Sequence, residues 1–300
     1  MRSMRFTAWL VLFATLLLWS GNWIVARAVR DEVQPGVATV GRLLVVLAIL
    51  VPFVFGSLRQ KIKLLNGGDW KILAALGLAG GGIHLGLQWL GLHYTTATSG
   101  ILYLSTSPIF ILLMAAPLLG ERIGPRQWIG VAISFAGVAT IAAQGETAHL
   151  AALSLNKGDL MALASMAMWA SYTVLLRLRR DPLDVAELIV MVCAFGLLFM
   201  LPWLAIEGMP SRLSGTALAA ILYSAIGSLL LAYAGWSYVV TRLGAARAGV
   251  TMHLMPAMGV MLAAIFLAEY PRWYHFAGIA LILTGVGLSS FRASSASSSR

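Results

Sequence analysis

Ten long hydrophobic runs constrain this chain more than any other feature of its sequence. Crossing the hydrocarbon core of a bilayer takes about 20 apolar residues in a helix, and each run is close to that length. Backbone N–H and C=O groups in lipid must pair within their own segment, so each run is predicted to be helical. The predicted spans are residues 7–26, 36–56, 70–91, 96–119, 126–143, 158–177, 184–204, 215–239, 246–268 and 274–291.

The composition favours lipid as the main solvent of this chain. Of its 300 residues, 60% are hydrophobic and only 11% are charged, whereas a soluble domain carries roughly 25% charged residues. The net charge of +10 would suit nucleic acid, but the cytoplasmic loops of membrane proteins gather Lys and Arg anyway. We therefore expect a lipid bilayer as a partner and no nucleic acid. The protein is expected to be a monomer.

The distribution of Lys and Arg predicts the orientation of the chain. When the loops are assigned alternately to two sides, fifteen of these residues fall on the side of the N-terminus and five on the other. Arg42 lies inside the second span. Because cytoplasmic loops carry the excess of positive charge, both termini are predicted to be cytoplasmic.

The two halves of the sequence repeat each other. A shift of 148 residues aligns 108–138 with 256–286 without a gap, and nine of the 31 positions are identical, including Pro108 with Pro256. Each unit holds five helices, an odd number, so the second copy must enter the membrane in the opposite orientation. Inverted repeats are typical of secondary transporters, with a substrate site between the repeats near the midplane. The predicted fold is therefore all-α, with ten transmembrane helices in two inverted five-helix repeats around a central cavity.

The repeat also resembles a known family. Residues 94–137, with Pro108 and the Leu-Leu-Gly-Glu-Arg sequence at 118–122, resemble the EamA repeat of the drug/metabolite transporter superfamily, as do residues 244–269 with Pro256. The whole chain looks closest to bacterial aromatic amino acid exporters of the YddG type. This resemblance implies a cavity walled mainly by helices 1, 3, 4, 6, 8 and 9. It also implies export of amino acids or related metabolites, here across the bacterial inner membrane.

The domain boundaries follow from the spans and the repeat. We predict a first EamA-like repeat at 1–145, an extracytoplasmic linker at 146–157, a second and inverted repeat at 158–293, and a disordered tail at 294–300.

The predicted function is export by alternating access at a midplane cavity, with amino acids, aromatic or other neutral ones, and related metabolites as substrates. Every Asp and Glu lies in a loop or near a helix end, so the buried carboxylate that cation exporters usually require is not expected. A passive facilitator or channel for small neutral metabolites and a multidrug exporter are the alternatives. No enzyme, metal site or cofactor is expected, because the sequence has no His-Glu-x-x-His motif and no pair of membrane aspartates.

Polar and aromatic side chains inside the spans are the candidates for substrate binding, because polar groups in lipid are costly. Trp19 and Trp169 are related by a shift of 150 residues, which predicts two aromatic walls at similar depth; an interfacial aromatic belt is the alternative. His84 and Gln88 share one helix face. His84 is either a protonation switch or a neutral, hydrogen-bonded histidine. The candidate cavity residues are Trp19, Asn22, His84, Gln88, Tyr103, Ser107, Trp169, Tyr172, Tyr233, Trp236 and His253.

Three further residues inside the spans have more than one interpretation. Pro108 and Pro256 are predicted to kink their helices and to free the carbonyls of Leu104 and Met252. Three interpretations are open: the kinks act as gating hinges, the freed carbonyls bind substrate, or the bend is purely structural. Arg42 is expected to extend its guanidinium to the membrane surface. The alternative for Arg42 is that it binds a substrate carboxylate.

Overall fold

The chain folds into a bundle of helices. The computed structural model describes residues 2–120, 123–146, 156–210, 212–243, 252 and 254–290, and within these ranges it has no β-strand. The helices are α1 (Arg2–Ala28), α2 (Pro35–Ile62), α3 (Gly67–Leu76, Gly77–Ile83 and His84–Tyr94), α4 (Ala97–Leu102, Tyr103–Thr106 and Ser107–Leu119), α5 (Pro125–Ala142), α6 (Lys157–Leu175), α7 (Val185–Glu207), α8 (Gly215–Leu222, Tyr223–Leu231 and Ala232–Leu243), α9 (Leu254–Leu267) and α10 (Trp273–Ser290).

Most of these helices are suited to cross a membrane. In the described part of the chain, α1, α2, α3, α4, α6, α7 and α8 are long and apolar enough to span the hydrocarbon core, and α9 and α10 are shorter apolar helices. The remaining helix, α5, packs along the length of α10. The predicted all-α fold with ten helices in two repeats is confirmed. The predicted start of the ninth span at residue 246 lies outside the described residues.

The contact between α5 and α10 shows how the repeats are related. Gly130 of α5 lies against the backbone of Gly285, and Gly137 lies against the backbone of Gly278 of α10. The shift of 148 residues turns the first of these pairs into the second. Because the lower number in α5 meets the higher number in α10, these corresponding helices run antiparallel. The second repeat is therefore inverted with respect to the first, and a pseudo-two-fold axis passes between these helices.

Corresponding helices also begin in the same way. The Asn66 side chain accepts hydrogen bonds from the backbone N–H groups of Gly68 and Asp69 at the start of α3. The Ser214 hydroxyl, 148 residues later, accepts one from the N–H of Ala217 at the start of α8, at 3.0 Å. Such caps satisfy N–H groups that the first turn of a helix leaves unpaired.

Both α3 and α8 contain a stretch of π-helix. It covers Gly77–Ile83 in α3 and Tyr223–Leu231 in α8. Each stretch adds residues to a turn and rotates the side chains that follow, and π-turns are frequent at functional sites. The first stretch ends immediately before His84, and the second ends two residues before Tyr233. These turns therefore set the direction of two candidate cavity residues.

The two central prolines lie near the start of helical segments. Pro108 is the second residue of Ser107–Leu119, and a 3₁₀ turn at Tyr103–Thr106 precedes this segment. The carbonyl of Leu104 accepts a hydrogen bond from the N–H of Ser107. The carbonyl of Met252 accepts one from the N–H of Met255, at 3.0 Å. The prediction that both carbonyls are free is therefore wrong, because the backbone tightens ahead of each proline and pairs them; a gating role of the prolines stays a prediction.

Candidate substrate-binding cavity

A cavity of about 250 Å³ lies between helices of both repeats. All six helices expected to wall it contribute side chains, and α2 adds one more. Its apolar lining includes Leu, Ile, Met and Pro side chains. The aromatic and polar side chains that line it are Trp19, Asn22, Trp23, Arg42, His84, Gln88, Ser105, Ser107, Trp169, Ser228 and Tyr233.

Most of the candidate residues from the sequence come together in this lining. They are Trp19, Asn22, His84, Gln88, Ser107, Pro108, Trp169, Tyr233 and Pro256. Tyr172 lines a smaller adjoining cavity of about 30 Å³, together with Trp169 and Tyr233. Their role in binding a substrate stays a prediction.

Two further candidates, Tyr103 and Trp236, do not lie in the lining. Tyr103 is fully buried in the hydrophobic core, because it starts the 3₁₀ turn of α4, in which successive side chains are about 120° apart rather than 100°. Trp236 lies behind Trp19, with 5.5 Å between the ring centroids. His253 lies outside the described residues. A regular helical spacing cannot anticipate either the turn in α4 or the second aromatic layer behind Trp19.

The aromatic rings of the site form two groups. One group lies on α1 and α8, and the other lies on α3 and α6. Trp19 meets Tyr233 edge to face at 5.7 Å between centroids, and its indole N–H donates to the carbonyl of Ser228 at 3.1 Å. Trp169 lies 5.3 Å from the ring of His84. Both tryptophans therefore face the cavity, and the rings offer flat apolar surfaces on which a planar side chain can stack.

Polar groups of the protein already hold several of the lining side chains. The Ser224 hydroxyl donates to the side-chain oxygen of Asn22 at 2.7 Å, and the Asn22 amide reaches the side-chain oxygen of Gln88 at 3.5 Å. The buried Ser224 thus orients Asn22, which in turn sits beside Gln88. This network links α1, α3 and α8 around the cavity.

His84 is tied to α6 through one ring nitrogen. Its Nδ1 lies 2.9 Å from the carbonyl of Ser165 and 2.8 Å from the Ser165 hydroxyl, which itself donates to the carbonyl of His84. Since both groups near Nδ1 serve as acceptors, we assign the proton to Nδ1 and leave Nε2 as an acceptor in the neutral ring. This geometry fits the hydrogen-bonded histidine of the two interpretations.

Arg42 lies inside the protein and not at the membrane surface. Its side chain is only 1% exposed, it lines the cavity, and its guanidinium carbon is 5.7 Å from the ring centroid of Trp89. The expectation that Arg42 reaches the surface is therefore wrong. Arg42 is close enough to the start of α2 for its side chain to reach the membrane surface, but the residue lies on the face of α2 that packs against the bundle. Its charge within a span was the signal for a functional role.

An ion pair ties together the helices at one end of the cavity. Arg27 at the end of α1 meets Glu269 after α9, with 3.2 Å between Nε and Oε1. Arg27 also donates to the carbonyl of Leu92 in α3 at 2.7 Å, and Glu269 accepts from the N–H of Thr98 in α4 at 3.1 Å. Four helices thus converge on one pair of charges, a contact that the sequence analysis did not anticipate.

The start of α6 is bound to the same end of the bundle. Asp159 accepts a hydrogen bond from the Thr95 hydroxyl, and the Asn156 amide donates to the carbonyl of Tyr94 at 2.7 Å. The start of α6 therefore lies at the same end of the bundle as the end of α1. Since α1 and α6 are corresponding helices of the two repeats, this opposite orientation is what inversion requires. Within the described ranges, no group of three or more His, Cys, Asp or Glu side chains is placed to hold a metal ion.

Comparison with known proteins identifies the family. An "Uncharacterized transporter" of Archaeoglobus fulgidus is 29% identical over 94% of this chain and 96% of its own length. A "Probable terminal-alkyne amino-acid exporter" of Streptantibioticus cattleyicolor is 26% identical over 94% of this chain and 92% of its own length. A solved crystal structure with 22% identity superposes with a TM-score of 0.60 over 95% of this chain and 97% of that one, and so shares the fold.

The sequence profile of one family covers both repeats. Residues 6–143 and residues 156–291 each match the EamA-like transporter family. These two segments include all the helices that line the cavity. The chain belongs to the EamA-like transporter family.

Proposed function

We propose that this protein is a secondary transporter that exports amino acids, aromatic or other neutral ones, and related metabolites from the cytoplasm of a bacterium. It binds them in the cavity between the repeats and exposes that cavity alternately to the two sides of the inner membrane. The observation that carries the proposal is a small cavity, walled by both inverted repeats, in which aromatic rings stand beside polar groups.

The size and lining of the cavity support a metabolite as the substrate. Its volume of about 250 Å³ is below the roughly 300–1,000 Å³ of pockets that bury drug-sized ligands. Trp19 and Trp169 provide apolar faces, while Asn22, Gln88 and Ser107 provide hydrogen-bonding groups. A small molecule with one flat or apolar part and one polar part suits this surface, and a relative at 26% identity is named as an amino-acid exporter.

The contacts at one end of the bundle support alternating access. Arg27 and Glu269 hold α1, α3, α4 and α9 together at one end. With both termini in the cytoplasm, as the distribution of positive charge indicates, this closed end faces the outside. The cavity is then loaded from the cytoplasm, which is the direction required for export, and the ion pair must open for release.

Transport by purified protein tests the proposal. Proteoliposomes are screened for uptake of radiolabelled aromatic, branched and small polar amino acids, with and without a pH gradient. We expect saturable movement of aromatic or branched amino acids above that of protein-free liposomes. Transport of sugars or nucleotides in the absence of any amino acid transport would refute the proposed substrate class.

A further inference from the structure

Arg42 carries buried hydrogen-bond donors that the described part of the chain leaves unpaired. Among the described residues, neither Nε nor Nη2 makes a hydrogen bond, although the side chain is only 1% exposed. The ring of Trp89, at 5.7 Å, gives the cation an aromatic face but no hydrogen-bond acceptor. An ionised group in such a place is costly unless an opposite charge and hydrogen-bond acceptors accompany it.

The cavity itself offers no counter-ion. No Asp or Glu lies among the described residues that line it. Two other titratable side chains, His84 and Tyr233, belong to this lining. His84 is hydrogen-bonded to Ser165, and a neutral tyrosine carries no negative charge. Among the described residues, the guanidinium of Arg42 therefore has no negatively charged partner, and an anionic ligand in the cavity would supply one.

The fold does not require a cation at this depth. The shift of 150 residues that aligns the start of α2 at Pro35 with the start of α7 at Val185 places Val192 opposite Arg42 in the second repeat. Val192 is buried and packs against α3. An apolar side chain is thus sufficient for packing at the corresponding position. The guanidinium of Arg42 therefore has no counterpart in the second repeat at this position.

We propose that Arg42 binds the carboxylate of the transported solute, and that this carboxylate, rather than an amino group, is the part of the substrate that the protein requires. Guanidinium presents paired N–H donors that match the two oxygens of a carboxylate. The apolar part of the solute then lies against Trp19 and Trp169. This inference rests on the proposed function in one respect, namely that the cavity is where the transported solute binds.

Substrate analogues separate the two polar groups of an amino acid. Binding to purified protein is measured for L-phenylalanine, 3-phenylpropanoate, L-phenylalaninamide and phenethylamine, which share one aromatic body. We expect the two carboxylates to bind with similar Kd, and the amide and the amine to bind about 10- to 100-fold more weakly, as the loss of charge-assisted hydrogen bonds implies. Equal binding of the acid and the amide would overturn the inference.

Variants of Arg42 test whether this residue provides the discrimination. Arg42→Gln is expected to bind L-phenylalanine and its amide equally, whereas Arg42→Lys keeps a reduced preference for the acid because it keeps the charge. Arg59→Gln, an exposed arginine on the same helix, is the control with the same change of charge and should behave as the wild type. Thermal unfolding shows whether each variant is folded, and the wild-type comparison of acid and amide does not depend on the variants.

The outcomes distinguish this inference from the proposed function. If phenylalanine and its amide are bound and transported alike, or if Arg42→Gln still prefers the acid, the inference fails while amino acid transport stands. If 3-phenylpropanoate is bound and transported but no amino acid is, the carboxylate site stands and amino acid export fails. If wild-type protein binds none of the four probes, both are refuted for aromatic solutes.

Discussion

Single residues of the cavity divide into those that the protein holds in place and those that remain available to a ligand. Asn22, His84 and Trp19 are each fixed by a hydrogen bond from or to a neighbouring helix. Arg42 has unpaired donors. A binding site of this kind is preorganised, because its side chains lose little freedom when the ligand arrives. Specificity then depends on the few groups whose hydrogen bonds the ligand completes.

Removal of the Trp19 ring tests whether this ring binds the substrate. In Trp19→Ala, we expect KM for an aromatic amino acid to rise roughly tenfold, because an aromatic pair contributes about 0.5–1.5 kcal/mol beyond burial of area. Trp19→Phe should recover most of the loss. The control is Trp9→Ala, because Trp9 is on the same helix but 48% exposed on the outside of the bundle. An equal KM in both alanine variants would exclude Trp19 from the substrate site.

The sequence indicated which residues to consider but not which way each one points. Polar and aromatic residues in apolar spans singled out Trp19, His84 and Gln88, which the structure brings together around one cavity. Tyr103 turns into the core because a 3₁₀ turn interrupts α4. The orientation of Arg42 depends on the rotation of α2 against its neighbours, and only packing determines that rotation.

Whole helices determine how the two repeats fit together. The crossing of α5 and α10 depends on glycines, because the backbone of one helix occupies the space that side chains of the other would need. Close approach of helix backbones through small residues is a common means of association in membranes, where the hydrophobic effect between helices is absent. The repeated glycines were visible in the sequence, but the partner of each glycine was not.

Two glycines on α10 provide a matched test of this packing. A methyl group at Gly285 would collide with the Gly130 carbonyl and with Ser134, whereas at Gly287 it would meet nothing within 4 Å. We expect Gly285→Ala to reduce the free energy of unfolding by about 1–3 kcal/mol and Gly287→Ala to leave it unchanged or slightly raised, since alanine favours helix. Thermal unfolding in detergent measures both. Equal melting temperatures for the two variants would contradict the close crossing.

The ion pair between Arg27 and Glu269 is the contact between helices most relevant to the proposed transport. Loss of a charge-assisted hydrogen bond costs about 1.5–3 kcal/mol, so Glu269→Gln should shift the population towards opening at this end roughly tenfold. The readout is the rate at which an impermeant thiol reagent, added outside, modifies a cysteine placed at Ser107 in a Cys193→Ala background. Ser107 lines the cavity, and Cys193 is buried.

A second acidic residue near the same end serves as the control for this experiment. Asp31 pairs with Arg30 at 3.3 Å but is 81% exposed, so Asp31→Asn should leave the modification rate at the level of the parent. If Glu269→Gln also reacts at the parent rate, the ion pair does not hold the outer end of the cavity closed.

The molecule as a whole is two inverted copies of one unit, and this symmetry gives the proposed mechanism its form. If one copy closes the cavity at one end, the same contacts adopted by the other copy would close it at the opposite end. The position that corresponds to Glu269 in the first repeat is Glu121, which lies outside the described residues. A carrier of this kind never opens both ends at once, in contrast to a channel.

Counterflow distinguishes a carrier of this kind from a channel. Proteoliposomes are loaded with a high concentration of an unlabelled amino acid that the protein transports, and uptake of a trace of the labelled amino acid is followed over time. A carrier that alternates one cavity between two sides predicts transient accumulation of label inside and faster uptake than into empty vesicles. Uptake that is independent of the internal amino acid and never exceeds equilibrium would instead indicate an open pore and contradict alternating access.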